Sequence, residues 1–493
     1  MNEQTTDRKN KAPAEVCVSE FGAVGDGCTD DTAALQLAMD SGAQRVVIPS
    51  GCYSIRRVLR PVAGQCVEIN GVIKLADAER SPLARDVRSG DATVWVQDAS
   101  GFQVGDTVSI HDDNLPIQGG GRKVRRERAG HATVVAIDGN ALRLDRAALR
   151  EFSPAANGLV ARQNGAIWIR HSGVRVCGTG VLDGNWSNQL NAAPGFLDVD
   201  LSEVFEAASG ITVRGESWIE NVTIEGITIE NFTLHGVSLN RAELSTVRNV
   251  TVRGVHDKSI KLWNCRDCRI AGNTCFDSIF EDGIMLHQIA NPAEGCHRIF
   301  IEGNLCRNNP RFGIHVGDGH REIHLANNLC IENGLNLSIY AHHCTSTGDV
   351  ASGTTDRLFL ATVYRPNVLL AGRHLSVSNL SAHGTRFIGV EICGQEIQLS
   401  GGLVGTMQEP VSCDEPGAKR PALNEWGCGS GEFFVDGDCR IGVAVVPGLT
   451  GKGKVNTPAG IDISGLNICG CRVGLQIGAE AQRVETQNVR VTD

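Results

Sequence analysis

The chain has no run of apolar residues long enough to cross a membrane, and its opening, "MNEQTTDRKNKAPAEV", lacks the apolar stretch that a signal peptide needs. A protein without a spanning helix and without export by that route is expected. The expected location is cytoplasmic, with a virion component as the alternative and no membrane partner. Basic excess is also missing. The formal net charge of −10 disfavours general nucleic-acid binding, since phosphate contacts need a basic face. The one basic cluster, "RKVRRER" at 122–128, is short and reads as a solvated loop tip. Glycine is plentiful at 58 residues but has no Gly-X-Y period, which excludes collagen and leaves many turns. The 18 cysteines are spread along 493 residues rather than packed into a small secreted framework, so reduced, buried thiols are expected. "CRDC", 265–268, has the spacing of half a zinc site but no second half follows it, and no metal or other cofactor is expected.

What is present is a repeat. A small residue precedes a short apolar alternation in "SGITV" at Gly210, "HGVSL" at Gly236, "KSIKL" at Ser259, "DGIML" at Gly283, "FGIHV" at Gly313 and "LNLSI" at Asn336. The steps are 26, 23, 24, 30 and 23 residues, and the long one contains "ANPAEG", 290–295, a Pro- and Gly-marked insertion. The same signature returns at Gly389, Gly442 and Gly474. Between these marks lie second short strands, among them "NVTIEG" (221–226), "NVTVRG" (249–254) and "RIFIEG" (298–303), each alternating with period two. Short strands joined by Gly and Asn turns cannot bury their apolar faces alone, so they stack into a solenoid. The fold class is therefore all-β, a parallel β-helix. Cys275, Cys306 and Cys330 share one repeat position with Ile229 and belong to an interior column.

The segment 18–55 opens with a strand-like piece, turns through glycines and enters a helix that Asp30 or Asp31 can cap, with Ala34, Leu35, Ala38 and Met39 as its apolar stripe. Such a helix covers the first coil. Residues Phe21, Gly22, Ala23, Gly25, Asp26, Gly27, Asp30, Asp31, Thr32 and Ala34, followed by Val47, Pro49, Gly51 and Tyr53, closely resemble the opening of the pectate-lyase superfamily, which includes polygalacturonases and many phage tailspikes. The resemblance implies a right-handed parallel β-helix solenoid with an N-terminal capping helix. It does not choose a reaction, since that fold hosts lyases, hydrolases, epimerases and binding spikes.

The expected divisions are a disordered or extended N-terminus at 1–17, cap and first coils at 18–90, a small β-insertion with a hairpin at "DGN" (138–140) at 91–150, the central β-helix at 151–404, a long loop or subdomain at 405–440 and terminal coils at 441–493.

Equivalent residues of consecutive coils lie about 4.8 Å apart, so the repeat register names the neighbours. It gathers His235, Asp257, Lys258, Glu281, Asp282 and Arg311, and outward positions add Lys261, His287 and His315. Few of these are tolerated unpaired inside a solenoid, so an external groove across the coils is expected. "EDGIML" resembles the polygalacturonase Asp-Asp pair, with Asp257 as the third acid one coil earlier, although His235-Gly236 lies two coils before the pair where that family has its His-Gly one coil after. Glycosidic hydrolysis needs an acid for the leaving oxygen and a base for water. Asp282 fits the acid and Glu281 and Asp257 the water-activating carboxylates of an inverting hydrolase, with Lys258, Lys261, His235, His287, Arg311 and His315 binding a polysaccharide or oligosaccharide. The alternatives are a uronic-acid lyase or epimerase, in which a basic residue takes the proton and the acids hold calcium, and a spike that binds glycan without cleaving it. Asp183, Asp198 and Asp200 are further candidates for the groove. The resemblance also implies a possible homotrimer.

Overall fold

The computed structural model describes residues 13–112, 130–148, 150–189, 208–279, 281–287, 295–354, 366–385, 387–406, 440–449 and 455–492. The basic cluster at 122–128, the segment carrying Asp198 and Asp200, and most of 290–295 and 405–440 lie outside them.

Each short strand is too small to bury its own face, and the coils solve this by stacking in parallel register. One parallel sheet of eleven strands runs through Ile167–Ile169, Ile211–Val213, Val237–Asn240, Ile260–Trp263, Ile284–Leu286 and Phe312–Val316 and continues to Val473–Ile477. Its register pairs Ile211 with Val237, Ile260, Ile284, Ile314 and Leu337 in turn, so the small residues marked in the sequence stack as expected. Asn367 joins that column between Asn336 and Gly389, a position the periodicity alone did not mark. The other two faces of the solenoid belong to a second, 26-stranded sheet, whose strands alternate buried and partly exposed residues. One continuous apolar core fills the interior.

The cysteine column is observed: Ile229 pairs with Val252, Val252 with Cys275, Cys275 with Cys306 and Cys306 with Cys330. Cys265 and Cys268 of "CRDC" are buried, and burial pushes the Cys265 thiol well up, against the thiolate form that zinc requires. Hydrogen bonding to Cys265, together with burial, does the same to Cys268.

Two buried asparagine ladders hold the turns. In one, the Asn273 Nδ2 donates to Asn304 Oδ1 at 2.9 Å, Asn304 Nδ2 to Asn328 Oδ1 at 2.9 Å, and Asn328 Nδ2 to Asp349 Oδ1 at 2.8 Å. The other runs from Asn309 through Asn333 and Asn336 to Asn367. Most of these oxygens also accept a main-chain N–H, as Asn304 does from Asn273 and Asn328 from Asn304, so polar atoms buried at a bend are satisfied largely by the next coil.

A helix, Thr32–Asp40, covers the first coil with Leu35, Ala38 and Met39 buried, while Ala34 is only partly so. Asp31 stands at its N-cap but makes no capping bond. Its carboxylate instead accepts the N–H groups of Val24 (2.7 Å) and Gly25 (3.1 Å), tying down the glycine turn, and Asp30 accepts the Thr32 N–H.

The insertion is larger than the expected 91–150. A six-stranded sheet begins at Arg80–Pro82 and closes with Leu159–Gln163, because those two strands pair with each other at its edge. It has its own core, including Leu83, Val94, Phe152 and Val160. The hairpin at 138–140 forms as expected, with Asp138 opposite Ala141 and Gly139 at φ +56°.

Candidate active site

The middle strands of the eleven-stranded sheet differ from the other faces in being buried on both sides. Outward residues Ser238, Lys261, Met285, His315, Ser338 and Leu369 follow one another in register, and all are buried. At the edge where the chain enters this sheet, main-chain bonds stack the residues that the repeat brought together. Gly210 N–H donates to His235 O, Gly236 to Lys258 O and Ser259 to Asp282 O, while Arg311 N–H donates to Glu281 O.

The side chains form one network. Lys258 Nζ is bound to Asp257 and lies 3.2 Å from Glu281, and Arg311 pairs with Glu281 and reaches Asp282 at 3.5 Å. Asp282 Oδ1 accepts the Phe312 N–H of the next coil at 3.1 Å, and its Oδ2 has no hydrogen-bond partner among the described residues. Asp282 is fully buried, whereas the side chains of Asp257 and Glu281 keep 13% of their exposure. The expected external groove is therefore corrected. The acids lie on the outward side, but ion pairing lets the network sit buried, with Asp257 and Glu281 at its rim and Asp282 beneath them.

Three acids face two cations here. Burial pushes the Asp282 carboxyl up to about 7, with Glu281 and Asp257 adding to the shift and Arg311 and Lys258 opposing it. A protonated Asp282 leaves two carboxylates for two cations, which neutralises the cluster. Burial works against the charge on Lys258, but Asp257, Glu281 and Asp282 outweigh it and raise its pKa. His235 lies 3.4 Å from Asp257, yet burial and the neighbouring Lys261 and Lys258 push its pKa well down, so this contact is not a charged pair. Its Nδ1 accepts the Lys258 N–H at 3.5 Å.

His315 belongs with the cluster: burial, then Arg311, pushes it well down, and its ring stacks on Phe312 at 4.4 Å. His287 does not. It lies two residues further along its strand than the column of Lys261 and His315, stacked on Trp263 at 5.0 Å, because Met285 occupies the expected place. Lys261 lies 5.3 Å from the Trp263 ring. Asp183 accepts the Asn185 N–H and the Asn231 amide, which is turn chemistry. The sequence reading missed Ser209 and Ser238, whose buried hydroxyls have no partner among the described residues and which stand on the two coils before Asp257. Their place in the repeat register was the available signal. Among the described residues no group of three His, Cys, Asp or Glu is placed to hold a metal ion. None of the described helices is long and apolar enough to cross a membrane.

Family models match two parts of the chain: a right-handed β-helix region over 158–352, and a rhamnogalacturonase A/epimerase, pectate-lyase-like segment over 16–68. The chain is a right-handed β-helix protein with a pectate-lyase-like start. Among solved structures, this β-helix protein is similar to the pre-mature bacteriophage phi29 gene product 12, at 14% identity and a TM-score of 0.60 over 97% of this chain and 52% of that one. It thus spans about half the length of that relative. It is also similar to the Agl-KA catalytic domain, at 11% identity and a TM-score of 0.52 over 98% of this chain and 69% of that one. The Azotobacter vinelandii mannuronan C-5 epimerase AlgE6 A-module covers 97% of this chain and 99% of its own at 13% identity, with a TM-score of 0.49. These likenesses concern the fold. No curated protein matches the β-helix protein by sequence.

Proposed function

We propose that this chain is a carbohydrate-active enzyme that hydrolyses glycosidic bonds of a polysaccharide or oligosaccharide at the Asp257–Glu281–Asp282 cluster. One observation carries the reading: a buried carboxyl, pushed up to about 7, stands directly beside two acids engaged by cations. Acid and base roles need two carboxyl groups whose environments differ in this way. Asp282 gives its proton to the leaving glycosidic oxygen as the C–O bond breaks. A water oxygen attacks the anomeric carbon, and its proton passes to Glu281 or Asp257 at the rim. Substrate reaches the rim first, and displacement of Arg311 from Glu281 gives access to Asp282. Sugar hydroxyls would supply partners for the Ser209 and Ser238 hydroxyls.

The lyase reading, whose candidate bases are Lys258, Lys261 and Arg311, is weakened at Lys258, since the neighbouring acids raise its pKa. A second reading is supported by the pairing of the rim acids with Lys258 and Arg311: a glycan-binding spike with no cleavage, for which the virion is the natural setting. A panel of neutral and uronic polysaccharides, assayed for reducing ends and for absorbance near ~235 nm, separates these chemistries, since only β-elimination leaves an unsaturated uronate. Hydrolysis predicts reducing ends without absorbance, a rate that falls above about pH 7 as Asp282 loses its proton, and losses of about 100-fold or more in Asp282→Asn and Glu281→Gln. No product from any substrate supports the spike, and absorbance supports a lyase.

A further inference from the structure

On the solenoid's outer faces, arginines are typically paired with an acid on a neighbouring coil: Arg175 and Arg248 with Glu225, Arg253 with Glu230, Arg269 with Glu302. Arg321 and Arg373 break this rule. Both are exposed, and neither has a carboxylate partner among the described residues. Arg321 donates to His297 Nδ1 and Arg373 to Gln395. They occupy one column, His297, Arg321, His342, Arg373 and Gln395, on five successive coils. Two coil steps of about 4.8 Å put the arginines about 10 Å apart along the solenoid axis.

This column lines a concave groove of about 1010 Å³ beyond the edge where the chain leaves the eleven-stranded sheet, opposite the entry edge that carries the acid cluster. His343 and His374, stacked at 4.7 Å, extend its floor, and Tyr340 forms a wall. Asp318 is the acid in the lining, 3.7 Å from His342. A run of rings joins the two places: Arg311 lies over Phe312 at 4.9 Å, Phe312 stacks on His315, and His315 meets Tyr340 edge-on at 5.7 Å.

We propose that this groove binds the anionic groups of a linear acidic glycan lying along the solenoid axis, with Arg321 and Arg373 as its two cationic contacts. A concave wall concentrates the field of two cations that, among the described residues, have no acid in salt-bridge contact, Asp318 facing His342 instead. Carboxylate and sulfate ester share the chemistry that a guanidinium recognises. A nucleic acid is disfavoured because two arginines about 10 Å apart, in a lining that has no lysine, do not make the continuous basic stripe that a phosphate backbone needs. The inference rests on the proposed function only in taking the polymer to be a glycan, and cleavage plays no part in it.

The test is titration calorimetry of the full chain at low and high salt with oligogalacturonate, the same oligomer reduced at its carboxyl groups, dextran sulfate, and single-stranded DNA of matched length. The expected result is salt-sensitive binding of oligogalacturonate or dextran sulfate, none of the reduced oligomer, and weakening by about tenfold or more in Arg321→Gln/Arg373→Gln. Arg248→Gln/Arg253→Gln removes the same charge from paired positions and is expected to bind like the parent. All these arginines are exposed or partly so, and unchanged melting temperatures check that the variants fold. Binding that survives the first pair of substitutions, equal loss in the second pair, DNA bound as tightly as glycan, or no binding of either acidic polymer would each overturn the proposal. A chain that binds through Arg321 and Arg373 but cleaves nothing leaves the groove in place and removes the hydrolase.

Discussion

At the scale of the residue, Asp282 is the group whose environment decides most. Its carboxyl titrates at about 7 in the fold against an ordinary 3.8, and the cause is burial. Between those values the folded chain holds a proton that the unfolded chain has lost, so this residue makes stability fall as pH rises from 3.8 to about 7 and adds no further slope above. Asp282→Asn keeps the shape and the bond from Phe312 N–H but cannot ionise. The variant is expected to lose this part of the pH dependence and to gain on the parent at mildly alkaline pH, which urea midpoints on both sides of neutrality would read. A larger drop in the variant than in the parent would mean that the carboxyl is ionised in the fold.

At the scale of the element, each turn depends on the coil beside it. Asn304 bonds the main chain of Ile270 and of Asn273, and also Asn328, so it belongs to three coils at once. Asn304→Ala strips partners from buried groups on both sides and is expected to cost about 1–3 kcal/mol, read as a lower urea midpoint. A cost near zero would mean that water replaces the amide. The cysteine column was legible beforehand because Cys275, Cys306 and Cys330 recur with the strand repeat. The asparagine ladder was equally periodic, at 273, 304 and 328, but those residues read as turn formers, and only the coil spacing turns them into mutual partners.

At the scale of the whole molecule, a solenoid is stabilised coil against coil, so protection depends on having neighbours on both sides. Phe312–Val316 is buried throughout and paired with a strand on each side, whereas Val473–Ile477 is partly buried with Ile477 exposed and, among the described residues, pairs with Ile441–Val445 alone. Hydrogen exchange is expected to be slowest in the coils around the acid cluster and fastest at 473–492, with 80–163, which has its own core, as a separate unit. Uniform protection along the chain would contradict nearest-neighbour stabilisation.

The sequence by itself determined the coil. Period-two alternation and a small residue every twenty-odd positions leave parallel stacking as the way to bury the apolar faces, and that register placed Asp257, Lys258, Glu281, Asp282 and Arg311 together. Tertiary structure decided what the register could not. It set which side chains lie at the rim and which beneath, that burial pushes the Asp282 carboxyl up to about 7, that Met285 displaces His287 from the column, and that Arg321 and Arg373, among the described residues, lack the acids their neighbours have. The reason is physical: stacking order follows from one-dimensional periodicity, whereas burial and charge balance depend on every coil that packs around a group.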